Sequence, residues 1–161
     1  MPLSRKDEKK ERRVHYRVPL EDADIRVARK FFEVMRNHVG CRAAVETKQG
    51  QSMDGVFVAF EPMHLSIILW KDGNYTMIRG DSVAQIRFKQ PRYERLETLR
   101  SLVSKMMQVG DDVSEIYLGI GKVVVKFRDD SRIFIYKSGD VYAVGAIASK
   151  YLDLLREKFG R

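Results

Sequence analysis

The sequence predicts a mainly β protein with an α+β companion. It reads as one helix and five short strands curled into a strongly bent barrel, followed by a small α-β-β-β-α domain. Three observations carry this. The hydrophobic period changes from 3.6 to 2 near residue 40 and returns to 3.6 beyond residue 92. Gly, Asp and Asn punctuate the period-2 stretch at short intervals, as turns between strands require. Gln90-Pro91 then breaks the sheet pattern, because proline cannot donate to a strand ladder. A length of 161 residues suits one ordinary domain or two small ones, and 44% hydrophobic residues supply a core. The expected divisions are a basic tail over 1–19, a barrel domain over 20–90 and an α+β domain over 91–161.

In chain order, residues 1–19 carry Arg5, Lys6, Lys9, Lys10, Arg12, Arg13 and Arg17 with almost no apolar content. Such a segment cannot offset its ordering entropy by burial, so it reads as a disordered tail, either solubilising or binding nucleic acid. A helix follows, capped by Asp22 or Asp24, with Ile25, Ala28, Phe32 and Met35 on one face and Gly40 suited to its left-handed end. Cys41, Ala43, Val45 and Thr47 alternate with Arg42, Ala44, Glu46 and Lys48 as a first strand, and Lys48-Gln49-Gly50 turns the chain. Met53 to Phe60 is a second strand that bends at Gly55. Leu65 to Trp70 is a third, apolar enough to be buried on both faces. After the Lys71-Asp72-Gly73-Asn74 turn come Tyr75–Ile78 and Ser82–Phe88, around Arg79-Gly80-Asp81. Beyond Pro91, a helix over Arg92–Gln108 has the stripe Tyr93, Leu96, Leu99, Val103 and Met106. Strands Ser114–Leu118, Lys122–Arg128 and Arg132–Tyr136 follow. A last helix covers Ala146–Phe159, with Ile147, Tyr151, Leu154, Leu155 and Phe159 on one side.

Composition narrows the function. The net charge is +8, compatible with a polyanionic partner and equally with solubility. The longest apolar run, Leu65 to Trp70, is too short for a bilayer, and the polar N-terminus has no signal-peptide core. One cysteine, Cys41, excludes an internal disulfide and reads as a buried small apolar group. His15, His38 and His64 lack metal-ligand spacing, and Gly119-Ile120-Gly121 lacks the rest of a dinucleotide fingerprint. Asp111-Asp112 and Asp129-Asp130 sit in turns, where aspartate bonds locally. The expectation is a soluble cytoplasmic protein that is no enzyme and takes no metal or cofactor.

The run from Val39 to Phe88 resembles the Sm/Lsm family. The first motif of that family matches Gly40, Gly50, Gly55 and the segment Phe60-Glu61-Pro62-Met63-His64-Leu65-Ser66-Ile67-Ile68-Leu69. The second matches Met77-Ile78-Arg79-Gly80-Asp81-Ser82-Val83-Ala84-Gln85-Ile86. The leading helix fits too, so the resemblance spans residues 24–89. Val141-Tyr142-Ala143-Val144-Gly145-Ala146, leading into an amphipathic helix, is similar to the C-terminal extension of the longer archaeal Sm-like proteins. The resemblance implies a closed homo-oligomeric ring, a heptamer or stacked heptamers, made by pairing edge strands of neighbouring subunits. It also implies a single-stranded RNA ligand, in the family often uridine-rich, held near the pore.

By that resemblance, Arg79 stacks on a base or pairs with phosphate, Gly80 permits the tight turn and Asp81 orients its neighbours. The first-motif loop departs from the pattern: its acid is Glu61 rather than Asp. In one register Ser66 stands where the family has Asn, with His64 or Met63 at the stacking position. In the other, His64-Leu65 stands there. Neither provides the amide that reads uridine, so the implied binding has low sequence specificity. Each residue also has a plain structural reading: Arg79 and Asp81 a turn ion pair, His64 a solvated loop histidine, Met63 a packing residue, Glu61 a surface carboxylate, Trp70 and Phe88 core seals. A second function class remains open, an oligomeric scaffold whose C-terminal domains bind protein partners.

Overall fold

The computed structural model describes residues 29–160. The basic tail over 1–19, the expected caps Asp22 and Asp24, and Ile25 and Ala28 lie outside the described residues. By its contacts the chain forms two units, Met1–Asn37 and His38–Arg161. In the first, helix α1 covers 29–37, with Phe32 half-buried and Met35 buried.

The second unit opens with β1 (Arg42–Thr47), β2 (Ser52–Phe60), β3 (Ile67–Lys71), β4 (Asn74–Ile78) and β5 (Val83–Phe88). They form one antiparallel sheet of order β4-β3-β2-β1-β5, so β4 and β5 are its edges. The alternation read from β1 holds: Ala43, Val45 and Thr47 are buried while Arg42, Ala44 and Glu46 are more exposed. Phe57, Ile67, Leu69 and Ile78 are likewise buried. The register slips between Phe57 and Ala59 and between Glu46 and Thr47, irregularities of the kind that bend a strand. Gly55 pairs regularly with Ala43 and serves a different need, since a Cβ there would sit 2.7 Å from the Trp70 carbonyl oxygen. The third strand begins at Ile67, two residues later than expected, because Leu65 takes φ 59 and turns the chain.

The rest of the unit is α2 (Leu96–Met106), β6 (Val113–Gly119), β7 (Lys122–Phe127), β8 (Arg132–Tyr136), β9 (Val141–Val144) and α3 (Ala146–Phe159). Three helices and two antiparallel sheets give the mixed architecture the sequence predicts, with one strand more than expected. β9 completes a meander of order β6-β7-β8-β9. Both helices bury their apolar sides on one face of it: Leu99, Val103, Leu155 and Phe159 join Val123, Val125, Phe127, Ile133 and Ile135 in one core. Leu154, expected in the stripe of α3, is 40% exposed, and Ala148 takes the buried place. The helix expected from Arg92 starts at Leu96, because residues 92–93 are held by tertiary bonds. The Tyr93 amide donates to Lys137 O at 2.9 Å, its hydroxyl to Phe159 O at 2.6 Å, and Arg92 to Gly160 O.

α3 has glycine at its N-cap, without a side chain to satisfy the first free amides. The β7–β8 turn supplies acceptors instead. Asp129 Oδ2 accepts from the Ile147 amide at 3.2 Å and Ser131 Oγ from the Ala148 amide at 2.9 Å. The acidic turn thus caps a helix that begins at Ala146, well beyond it in the sequence.

A seam joins the two sheets. Val56 and Trp70, on the outer face of the first, pack with Tyr136, Phe134 and Tyr142 on the face of the second that the helices leave open. Arg42 donates to Asp140 through Nε at 3.0 Å and a terminal nitrogen at 2.8 Å, and Ser138 Oγ donates to the same carboxylate at 2.6 Å. The Ser138 amide also donates to Gly40 O at 2.9 Å. Trp70 is therefore a seal, as expected, but between sheets. Phe88 stacks on His38 at 4.5 Å and lies 5.4 Å from Phe57. Arg42→Ala leaves the Asp140 carboxylate, 13% exposed, without its bidentate partner. Urea unfolding is expected to show a loss of about 2 kcal/mol, the scale of a charge-assisted bond in a half-buried place. A loss below half of that would show that the seam is held mainly by its aromatic contacts and the Ser138–Gly40 backbone bond.

Candidate nucleic-acid interface

Two separated segments build the candidate site. The first is the β2–β3 loop. Its Glu61 amide donates to Ser66 O at 2.8 Å, closing the loop at its base. The Glu61 carboxylate then accepts from the amides of Met63 and His64, the latter at 2.8 Å, and lies 3.2 Å from His64 Nδ1. Partial desolvation pulls the Glu61 pKa upward, but the bonds from the His64 and Met63 amides outweigh it and hold the group below its ordinary value. Glu61 is therefore the organiser of this loop, a role sequence reasoning missed. The available signal was a side-chain acceptor two and three residues ahead of free amides.

A depressed carboxyl pKa makes the ionised form the one that orders the loop. Order contributed by Glu61 is fully present above the unfolded-state pKa and is lost as pH falls through the lower folded-state value. Amide exchange at Met63 and His64, corrected for intrinsic pH dependence, is expected to lose protection in that acid window, and Glu61→Gln to show weak protection at every pH. Protection in Glu61→Gln equal to wild type would remove the carboxylate from this role.

The second segment follows β4. Arg79 is extended, Gly80–Ser82 makes one 3-10 turn, and the Ser82 amide donates back to Arg79 O at 3.0 Å. Ser82 O accepts from the Lys48 amide at 2.8 Å, tying the turn to the β1–β2 hairpin. Gly80 is where the segments meet. Its amide donates to Ser66 Oγ at 3.4 Å, and a Cβ at this position would fall 2.7 Å from Leu65 C and 2.8 Å from His64 C. Only a residue without Cβ lets the two backbones approach this closely.

The result is a recess of about 390 Å³ lined by His64, Ser66, Arg79, Gly80 and Asp81. The structure thus brings together five of the six residues singled out from sequence. Met63 is 82% exposed and does not line the recess. Arg79 donates to Asp81 at 3.1 Å, with both side chains largely exposed, so the ion pair of the plain reading is present. Such a pair contributes at most about 1 kcal/mol and engages few of the five guanidinium N–H donors. The recess offers an imidazole, a planar cation, a hydroxyl and a carboxylate. Those groups suit a planar, polar ligand better than an apolar one.

Among the described residues, no helix is long and apolar enough to cross a membrane. Cys41 is buried, and burial, opposed by the Lys137 charge, pushes its thiol pKa up, which does not suit a nucleophile.

No family model and no curated protein matches the chain. Solved structures do. A crystal structure of the SmAP1 heptamer of Pyrobaculum aerophilum is similar over 35% of this chain and 89% of that one, at 19% identity and a TM-score of 0.31. A novel Sm-like archaeal protein from the same organism is similar over 80% of this chain and 98% of that one, at 20% identity and a TM-score of 0.33. With TM-scores this low, the functional reading rests on the chain's own residues.

Proposed function

We propose that this chain is a ring-forming Sm-like protein that binds single-stranded RNA with low sequence specificity, without a catalytic step. The observation that carries the reading is the convergence of His64 and Ser66 with Arg79, Gly80 and Asp81 on one recess. These are the two segments in which the sequence resembles the two Sm motifs. The sheet supports assembly as well. β4 and β5 lie at its opposite ends, each with one side unpaired among the described residues. Head-to-tail pairing of β4 on one copy with β5 on the next closes into a ring when the rotation permits. The family resemblance sets the expected number at seven. Tyr75 and Met77 on β4, 57% and 72% exposed, offer apolar surface to such a neighbour. Light scattering is expected to give several times 18.7 kDa. A strict monomer at micromolar concentration would contradict the ring.

RNA binding is tested against salt. Phosphate contacts release counterions, so affinity for labelled oligouridine and for a mixed-sequence oligomer is expected to fall steeply, and about equally, as salt rises. Deleting residues 1–19 is expected to flatten that slope without changing base preference, because backbone contacts carry no sequence information. An unchanged slope would assign the tail to solubility. If neither oligomer binds at low salt, the scaffold reading takes over. The Arg42–Asp140 bond and the Trp70 packing favour it as the second choice, since they present the second sheet and its helices in a fixed pose.

A further inference from the structure

At the opposite end of β3 from the recess, a cleft of about 480 Å³ opens along the seam, between the β3–β4 hairpin turn and α3. We propose that it is a second binding site, for a ligand with the chemistry of a nucleotide: a planar ring bearing a phosphate. The volume is within the range of small-molecule sites. Its floor is aromatic, with the Trp70 and Tyr142 rings 4.8 Å apart and tilted by 48°. Trp70 is 6% exposed, whereas Tyr142 is half-buried and is the more accessible of the two aromatic residues that line the cleft. Trp70 Nε1 is the one buried side-chain polar atom among the described residues without a hydrogen-bond partner. An orphaned buried donor of this kind is costly.

The walls carry charge from both sides. Lys71 stands on the hairpin and Arg156 on α3. Arg156 makes one long bond, to Val141 O at 3.4 Å, so its planar donor fork is available to a phosphate. Lys71 is held by Asp54 at 2.8 Å at an exposed position, a weak tie that an anion can displace. Two acids also line the cleft. Asp140 is neutralised by Arg42, and Asp72 lies in the turn at the rim. Three basic and two acidic residues line the cleft, so the net charge of the lining is slightly positive, which suits a single phosphate better than a long polyanion. Ser66 immediately precedes β3 and Trp70 stands four residues further on, roughly 13 Å at the rise of a strand. The cleft and the recess are therefore separate sites, and the proposal stands whether or not RNA binds the recess.

Trp70 is the only tryptophan in the chain, so its fluorescence reports on the cleft directly. Titrating the full-length protein with UMP and AMP, excited at the red edge of the indole band, is expected to give a saturable change. Arg156→Gln and, independently, Lys71→Gln are expected to weaken it about tenfold or more, with unfolding transitions unchanged, and Arg79→Ala to leave it intact. A 5′-phosphorylated oligonucleotide that gives the same Arg156-dependent change would identify the source as the end of a strand. A response to mononucleotides alone would identify it as free nucleotide. No saturable change at millimolar nucleotide would overturn the proposal. So would wild-type affinity in Arg156→Gln and Lys71→Gln, inorganic phosphate binding as tightly as UMP, or loss of the signal in Arg79→Ala.

Discussion

Gly80→Ala is expected to reduce affinity for oligouridine by at least tenfold while the protein stays folded and assembled. The added Cβ would meet the backbone at His64 and Leu65 rather than the tip of a flexible side chain, so nothing can rotate aside. Relief requires the 3-10 turn at Gly80–Ser82 and the β2–β3 loop to part by several tenths of an ångström or more. Arg79 and Asp81 ride on one of those segments, His64 and Ser66 on the other, so parting them opens the recess. Both segments lie at the end of the sheet, outside its core, and the stability cost should stay near about 1–2 kcal/mol, the scale of local strain. A tenfold loss corresponds to roughly 1.4 kcal/mol of lost preorganisation. Fluorescence anisotropy with labelled oligouridine gives the affinity, and light scattering on the same sample gives the assembly. Wild-type affinity in a folded, assembled Gly80→Ala would show that the two segments do not act together.

The largest stability effect is expected at Gly121. Gly40 and Gly121 lie backbone to backbone where the first strand begins and the β6–β7 hairpin turns, at φ 93 and φ 70. A Cβ on Gly121 would come 2.8 Å from Gly40 N and closer still to Val39 O, and one on Gly40 would come 2.8 Å from Gly121 C. Each substitution combines left-handed strain, about 1–2 kcal/mol for a residue with a Cβ, with overlap against rigid backbone. The same place holds three backbone bonds: Ser138 N to Gly40 O at 2.9 Å, which crosses the seam, and Lys137 N to Gly121 O at 3.1 Å and Gly40 N to Phe57 O at 2.7 Å on either side of it. Separating the two glycines strains all three. Gly121→Ala is therefore expected to cost about 3 kcal/mol or more in urea unfolding, with a lower midpoint and an unchanged slope. A loss under about 1 kcal/mol would mean that the hairpin shifts freely and that the seam is loose.

These residues also mark what the sequence can tell. The five strands of the first sheet were legible because apolar and polar residues alternate in β1 and because Gly and Asp stand at the turns. The second motif pinpointed Arg79, Gly80 and Asp81, and the structure puts them beside His64 and Ser66. β9 was not legible. Its outward residues, Tyr142 and Val144, are apolar like its inward ones, so no alternation shows, and Tyr142 faces outward only to meet Trp70 across the seam. The start of α2 was misjudged for a related reason, since Tyr93 continues the helical stripe yet is pulled out of the helix by bonds to Lys137 and Phe159. Asp129 and Ser131 look like ordinary turn residues until α3 is brought over them. In each case the deciding partner lies far along the chain, where periodicity has no reach.

The most direct test of the central reading, a recess that holds a strand of RNA, is a titration of labelled oligouridine against the intact protein, Arg79→Lys and Arg79→Ala. The guanidinium of Arg79 is planar and permanently charged, whereas lysine keeps the charge and loses the plane. If Arg79 is a base platform, Arg79→Lys loses roughly 1 kcal/mol or more per site, the lower end of base stacking, and Arg79→Ala loses more. If it supplies charge to phosphate, lysine is mild and alanine severe. The account predicts one of these two patterns, with unfolding changed by no more than about 1 kcal/mol, as an exposed ion pair allows. Equal affinity for all three proteins would reduce Arg79 to the partner of Asp81 and contradict the assignment of the recess.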